Sequence, residues 1–149
     1  MQKKYLIIGL IVLSVLGLIT SLYLAYNHYH PHLKGGICDI TAAVSCTVVN
    51  SGMYSTIFGM PVALYGILWS FILGFLSWKA WDDRKFIPKV LWWNILGIVF
   101  VAYFIYIEYL LGTICPFCTV VHVLVAVSLV LSIVLYKQFY KSELPSGEK

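Results

Sequence analysis

Four cysteines stand out in this sequence, arranged as two pairs whose spacing limits what they can do. Cys115 and Cys118 form a Cys-x-x-Cys motif in Thr113-Ile-Cys-Pro-Phe-Cys-Thr-Val-Val-His122, while Cys38 and Cys46 bracket CDITAAVSC. A Cys-x-x-Cys pair is either redox-active, thioredoxin-like chemistry or half of a zinc site. Zinc fits poorly, because the seven residues between Cys38 and Cys46 exceed the usual gap of about 2–4 between ligands. If Cys115 caps a helix, Pro116 falls at its first position, where a missing N–H costs nothing. Cys118 is then in the first turn, where unpaired N–H groups and the helix dipole stabilise a thiolate. Residues three apart on a helix lie within ~5–6 Å, compatible with a disulfide. A static disulfide clipping the helix end is the alternative. Cys38 and Cys46 would stand about 12 Å apart on a continuous helix, beyond the ~7 Å a disulfide tolerates, so their segment must bend if they pair. Gly35-Gly36 and Gly52 permit such a mobile loop, although two loop cysteines also suit a purely structural bridge.

The surroundings of these pairs are apolar. Of 149 residues, 61% are hydrophobic and 11% charged, against about 25% charged in soluble domains. Four stretches account for the excess: Tyr5–Tyr26, Ile57–Trp78, Val90–Leu111 and Cys115–Tyr136. At ~1.5 Å per residue each reaches roughly 33 Å as a helix, enough for a hydrocarbon core of ~30 Å. None contains Lys, Arg or Asp. The fold class is therefore all-α, a bundle of four transmembrane helices with a long external loop, Asn27–Thr56, between the first two. The first stretch reads as an uncleaved helix, because signal-peptide cores run to only ~7–15 residues and no small-x-small cleavage site follows it. Residues 1–140 read as one membrane domain and 141–149 as a disordered cytoplasmic tail.

Basic residues orient the bundle. Lys3, Lys4, Lys79, Arg84, Lys85, Lys89, Lys137, Lys141 and Lys149 fall on one side, and Lys34 alone on the other. The positive-inside rule places both termini in the cytoplasm and all four cysteines outside, as in a multi-pass protein of the plasma membrane. External compartments permit disulfides. The net charge of +4 sits where topology requires it and implies no nucleic-acid partner. Trp78, Trp81, Trp92 and Trp93 fit an aromatic belt beside the cytoplasmic loop.

A mobile external dithiol and a second one at the membrane surface suggest electrons passing from a soluble thiol protein into the bilayer. A lipid quinone is the natural diffusible two-electron acceptor there. His122, four residues beyond Cys118, lies on the same helix face about one turn deeper and is placed to bond a quinone carbonyl; a histidine satisfied by a neighbouring helix is the bland alternative. Glu108 serves either proton delivery or simply reaches the interface. His28, His30 and His32 alternate near the end of the first helix, a pattern that suits a solvated interfacial cluster better than a metal site.

Taken in order, CDITAAVSC, YSTIFGMPVALYG and TICPFCTVVH resemble the vitamin K epoxide reductase family. The similarity is strongest to its bacterial and archaeal disulfide-forming members. The resemblance spans roughly Leu6 to Tyr136 and implies a four-helix bundle around a quinone of the menaquinone, ubiquinone or vitamin K type. It implies that Cys118 is next to the quinone, that Cys115 is its disulfide partner, and that Cys46 and Cys38 form the loop shuttle. Ser55, Thr56 and Phe58 match the segment lying over the quinone, and His122 matches a vertebrate tyrosine that bonds it. Ser55, where the vertebrate enzyme has Asn, and His122 depart from the vertebrate pattern and argue against vitamin K epoxide reduction of that type. Many bacterial members carry a fused thioredoxin-like domain. This chain ends soon after its fourth helix, so a separate thioredoxin-like protein on the external side is the expected partner.

The expected function is thus a membrane thiol–quinone oxidoreductase that generates disulfides. A vertebrate-type epoxide reductase is one alternative. The other is a non-enzymatic membrane scaffold with two structural disulfides, which needs no quinone and no labile cysteine.

Overall fold

The computed structural model describes residues 2–30, 38–41, 43–52 and 54–139. His32, Lys34, Gly35-Gly36 and the expected tail 141–149 lie outside the described residues. Among the described residues four helices are long and apolar enough to cross a membrane, as expected. Inside hydrocarbon every backbone N–H and C=O must be paired within the chain, so long runs of Leu, Ile and Val take up helix there.

Helix α1 spans Gln2–Tyr29. A short helix, α2 (Cys46–Ser51), then forms inside the stretch expected to be loop. The second long helix does not begin at Ile57, as the apolar run suggested, but at Val62: α3 spans Val62–Asp82. The residues before it form a small hairpin, β1 (Thr56–Ile57) paired antiparallel with β2 (Met60–Pro61). Both turn residues have positive φ, Phe58 at 52° and Gly59 at 78°, the backbone of a tight two-residue hairpin turn. Pro61 then caps α3 in an extended conformation that could not continue backward as helix.

At the other end of α3, the Asp83 side chain accepts the Lys85 N–H (2.9 Å) and starts a 3₁₀ turn, Arg84–Phe86. Helix α4 (Ile87–Leu111) follows, with Pro88 in its first turn. Gly112, in the left-handed conformation at φ 59°, stops it, as glycine commonly does at a helix C-terminus. Helix α5 spans Pro116–Phe139. The chain therefore runs up and down, with α1 against α3 and α5, and α4 against α5 and α3.

Lipid-side packing rests on small and polar residues rather than on a hydrophobic driving force. Ser14, Ser21 and Ser70 are buried where α1 meets α3. Gly66 of α3 faces Ser21 of α1 so closely that a Cβ there would lie 2.5 Å from Ser21 Oγ. Between α4 and α5, the Ser128 hydroxyl donates to Asn94 Oδ1, and Asn94 Nδ2 donates to the Val90 carbonyl (2.9 Å). Trp78 and Trp92 are exposed on the outer surface, consistent with a belt. Trp93 is not part of it: its indole Nε1 donates inward to the Trp69 carbonyl, 3.1 Å away. A buried carbonyl gives that N–H a partner that a lipid-facing position would lack.

Gly66→Val should force α1 and α3 apart. Overpacking of this kind costs about 1–3 kcal/mol, so thermal unfolding in detergent should shift down, whereas an unchanged midpoint would mean the helices have slack at Ser21.

Candidate active site

Local backbone structure carries the outer cysteine pair to the inner one. Between Cys38 and Cys46 the chain folds over on itself: Thr41 and Val44 exchange N–H···O bonds of 3.2 and 3.1 Å, and Ile40 N–H also reaches the Val44 carbonyl (3.0 Å). The bend lets Cys38 and Cys46 form a disulfide with a Cα separation of 5.5 Å. The same segment then lies alongside the lead-in to α5. Ile114 N–H donates to the Ala43 carbonyl (2.9 Å) and Ser45 N–H to the Ile114 carbonyl (3.1 Å). As a result Cys46 Sγ and Cys115 Sγ stand 3.1 Å apart. The sulfurs of Cys38, Cys46 and Cys115 all fall within 4.8 Å of one another, and all three cysteines are buried.

Asp39 organises the bend. Its Oδ1 accepts from Ser45 Oγ (2.6 Å) and Thr47 N–H (3.1 Å), and its Oδ2 from Thr47 Oγ1 (2.6 Å). Ser45 in turn caps α2 by accepting the Val48 N–H at 3.1 Å. The hydroxyls of Ser45 and Thr47 hold the Asp39 carboxyl below its ordinary value of 3.8. At its far end α2 is tied to α1: His28 Nδ1 donates to the Asn50 carbonyl (2.6 Å), and Asn50 Nδ2 donates to the Leu24 carbonyl (3.2 Å). His28 is thus a structural contact, and His30 bonds the Tyr26 carbonyl at 3.1 Å.

The inner pair caps α5 as the Pro116 rule implied, with one difference. The helix-terminal N–H groups were expected to serve Cys118, yet it is the Cys118 N–H that donates to Cys115 Sγ, 3.2 Å away. A capping side chain folds back over the first turn and takes its free donors, so the sulfur that meets the helix end is that of Cys115. Both inner cysteines are thiols here. The Glu108 carboxylate accepts the Cys115 N–H at 3.1 Å, which ties the end of α4 to the start of α5.

Below the sulfurs lies a cavity of about 280 Å³, near the lower end of the ~300–1,000 Å³ typical of small-molecule sites. Cys118, His122 and Val125 of α5 line it together with Glu108, Phe104 and Gly97 of α4 and Trp69 of α3. Exposed Leu68, Leu96 and Phe100 are also in its wall, so it reaches the outer surface where α3 meets α4. Two features suit a flat ring with polar edges. The His122 ring is nearly parallel to Phe104, with an interplanar angle of 9° and centroids 6.5 Å apart. Trp69 Nε1, buried in the wall, has no hydrogen-bond partner among the described residues, which offers a donor for a carbonyl oxygen. An isoprenoid quinone head group fits these walls.

The structure therefore brings Cys38, Cys46, Cys115, Cys118 and His122 to one place. Ser55, Thr56 and Phe58 do not line the cavity. Ser55 is buried, its backbone carbonyl accepting the Val62 N–H at 2.9 Å; Thr56 is exposed, and Phe58 at the hairpin tip is 97% exposed. On this side of the cavity Val49, Asn50, Tyr54 and Val62 form the wall instead. Asn50 and Trp69 were missed by sequence reasoning. The only signal for either was a polar or amphipathic residue in an otherwise apolar setting.

A membrane helix bundle that holds a disulfide in sulfur contact with a second cysteine pair, above an apolar cavity, defines a membrane thiol oxidoreductase. The chain belongs to the vitamin K epoxide reductase family, whose model it matches over residues 8–133. No curated protein matches it in turn. The family makes it a multi-pass integral membrane protein with an oxidoreductase function of the thiol/quinone type.

Asp39 gives the site a pH signature. Its folded pKa is depressed, so the stability it contributes is present above about pH 4 and lost as pH falls through the folded value. Wild type should therefore melt higher than Asp39→Asn near pH 6, and the gap should close on acidification below 3.8. A gap independent of pH would show that the carboxylate charge does not hold the loop.

Proposed function

We propose that this protein generates disulfides, passing two electrons from an external thioredoxin-like protein through Cys38–Cys46 and Cys115–Cys118 to a membrane quinone. The observation that carries the reading is the 3.1 Å contact between Cys46 and Cys115 sulfurs, with Cys118 in the wall of the apolar cavity. A thiolate of the partner attacks the outer disulfide at Cys38. The released Cys46 thiolate attacks Cys115 and frees Cys118. A second partner thiol closes the partner's own disulfide and releases Cys38, whose thiolate attacks Cys46, re-forming Cys38–Cys46 and freeing Cys115. Exchange of this kind runs through mixed disulfides. The arrangement with the outer pair bridged and the inner pair reduced corresponds to electrons already on the inner pair. Cys118 then reduces the quinone, and a Cys115–Cys118 disulfide forms. One partner dithiol is oxidised and one quinone becomes quinol. A static clip does not explain why a disulfide would be built against a third, reduced cysteine.

Quinone reduction by purified protein, with a reduced thioredoxin-like substrate, tests this directly. Cys118→Ala should abolish quinone reduction by any thiol donor, and Cys38→Ala should block the protein donor while a small permeant dithiol still works. His122→Phe should slow quinone turnover roughly tenfold, since a lost hydrogen bond with an unsatisfied partner costs about 1–3 kcal/mol, and leave thiol exchange intact. Equal loss with both donors in Cys38→Ala would remove the shuttle from the scheme.

In this reading the cysteines face outward from the plasma membrane and both termini lie in the cytoplasm, on the strength of the nine-to-one distribution of basic residues. An impermeant thiol reagent applied to intact cells after reduction should label the cysteines. Reporter fusions that place the Arg84–Phe86 turn outside would reverse the topology and end the external-donor scheme.

A further inference from the structure

Moving electrons from two thiols to a quinone leaves two protons to be moved as well. They start on sulfur and must finish on ring oxygens, inside walls that are almost wholly apolar. Glu108 is the only carboxylate among the described lining residues, and no Lys, Arg or Asp accompanies it. It is not remote from the chemistry: a carboxylate oxygen of Glu108 and the sulfurs of Cys115 and Cys118 all lie within 4.8 Å of one another. The hydrogen bond its carboxylate accepts from the Cys115 N–H needs an acceptor but not an acid. A neutral amide would make the same tie without the cost of placing a carboxyl group in an apolar wall. The other titratable groups around it are Cys115, Cys118 and His122 on α5, with Tyr54 and Tyr65 elsewhere in the cavity wall. Tyr65 is occupied, donating its hydroxyl to the Ile57 carbonyl at 3.0 Å.

We infer that Glu108 is a catalytic proton carrier between the inner cysteine pair and the quinone oxygens, an inference that rests on the function proposed above. Its carboxylate takes the Cys118 thiol proton as that sulfur gives its electrons to the ring, and the resulting acid passes the proton to a ring oxygen. The Cys115 thiol proton follows the same route as the Cys115–Cys118 bond closes. Two S–H bonds break, one S–S and two O–H bonds form, the dithiol is oxidised, the quinone is reduced, and Glu108 returns as a carboxylate.

Glu108→Gln separates the carrier from the tie, because the amide oxygen can still accept the Cys115 N–H. General acid–base groups contribute about 10²–10⁴-fold. Glu108→Gln should therefore lower quinone turnover at least a hundredfold and flatten its pH dependence. Quinone affinity, read from quenching of tryptophan fluorescence, and exchange among the four cysteines, read by gel shift, should stay close to wild type. Added formate, a small diffusible acid, should restore part of the rate. Wild-type turnover and pH profile in Glu108→Gln would overturn the inference, and so would joint loss of affinity and exchange, which would make Glu108 a structural tie only. If wild-type protein reduces no quinone, the proposed function fails first and takes this inference with it.

Discussion

Cys46 and Cys115 meet at 3.1 Å, and much of the molecule outside the lipid serves to keep them there. One sulfur opens the short helix α2 and the other caps α5, so neither position is fixed by its own element alone. The backbone bonds among Ala43, Ser45 and Ile114 lay the loop beside the start of α5. Asp39 holds the bend closed with three hydrogen bonds, and His28 with Asn50 anchors α2 to α1. Glu108 fixes the inner cysteine from the α4 side. Sulfur exchange needs contact, and four separate elements converge to supply it.

The membrane-spanning part sets a different constraint. Its helices gain nothing from burying leucine against leucine, since lipid offers the same contact, so they associate through close approach and buried polar groups. Gly66 against Ser21 and Asn94 against Ser128 are the two forms this takes. The bundle is tight where α1 meets α3 and open where α3 meets α4, with Leu68, Leu96 and Phe100 both lining the cavity and facing outward. That combination leaves room for a ring inside and a route for an apolar tail to reach the bilayer.

The four helices and the opening of the last one at Cys115-Pro116 were legible in the sequence because both depend on local signals: uninterrupted apolar runs, and a proline placed just after a capping residue. The start of α3 was misplaced because hydropathy does not register the turn at Phe58-Gly59 or the stop at Pro61. Trp93 looked like a belt residue, since its inward turn depends on the Trp69 carbonyl of another helix. Cys115 was read correctly as the cap, but the free N–H groups of the first turn were expected to serve the Cys118 sulfur. Composition cannot say which sulfur folds over a helix end, and it is the Cys115 sulfur that accepts the Cys118 N–H. Asp39, adjacent to Cys38, carried no motif; its role appears only once Ser45 and Thr47 are brought round to it.

The central claim is that electrons cross between the pairs at Cys46 and Cys115, and trapping that step tests it most directly. A Cys38→Ala, Cys118→Ala double variant leaves those two sulfurs without their other partners. Peptide mapping of the oxidised protein without reduction should find Cys46 joined to Cys115 in most molecules. Two free thiols under conditions that oxidise the wild-type outer pair would contradict the account.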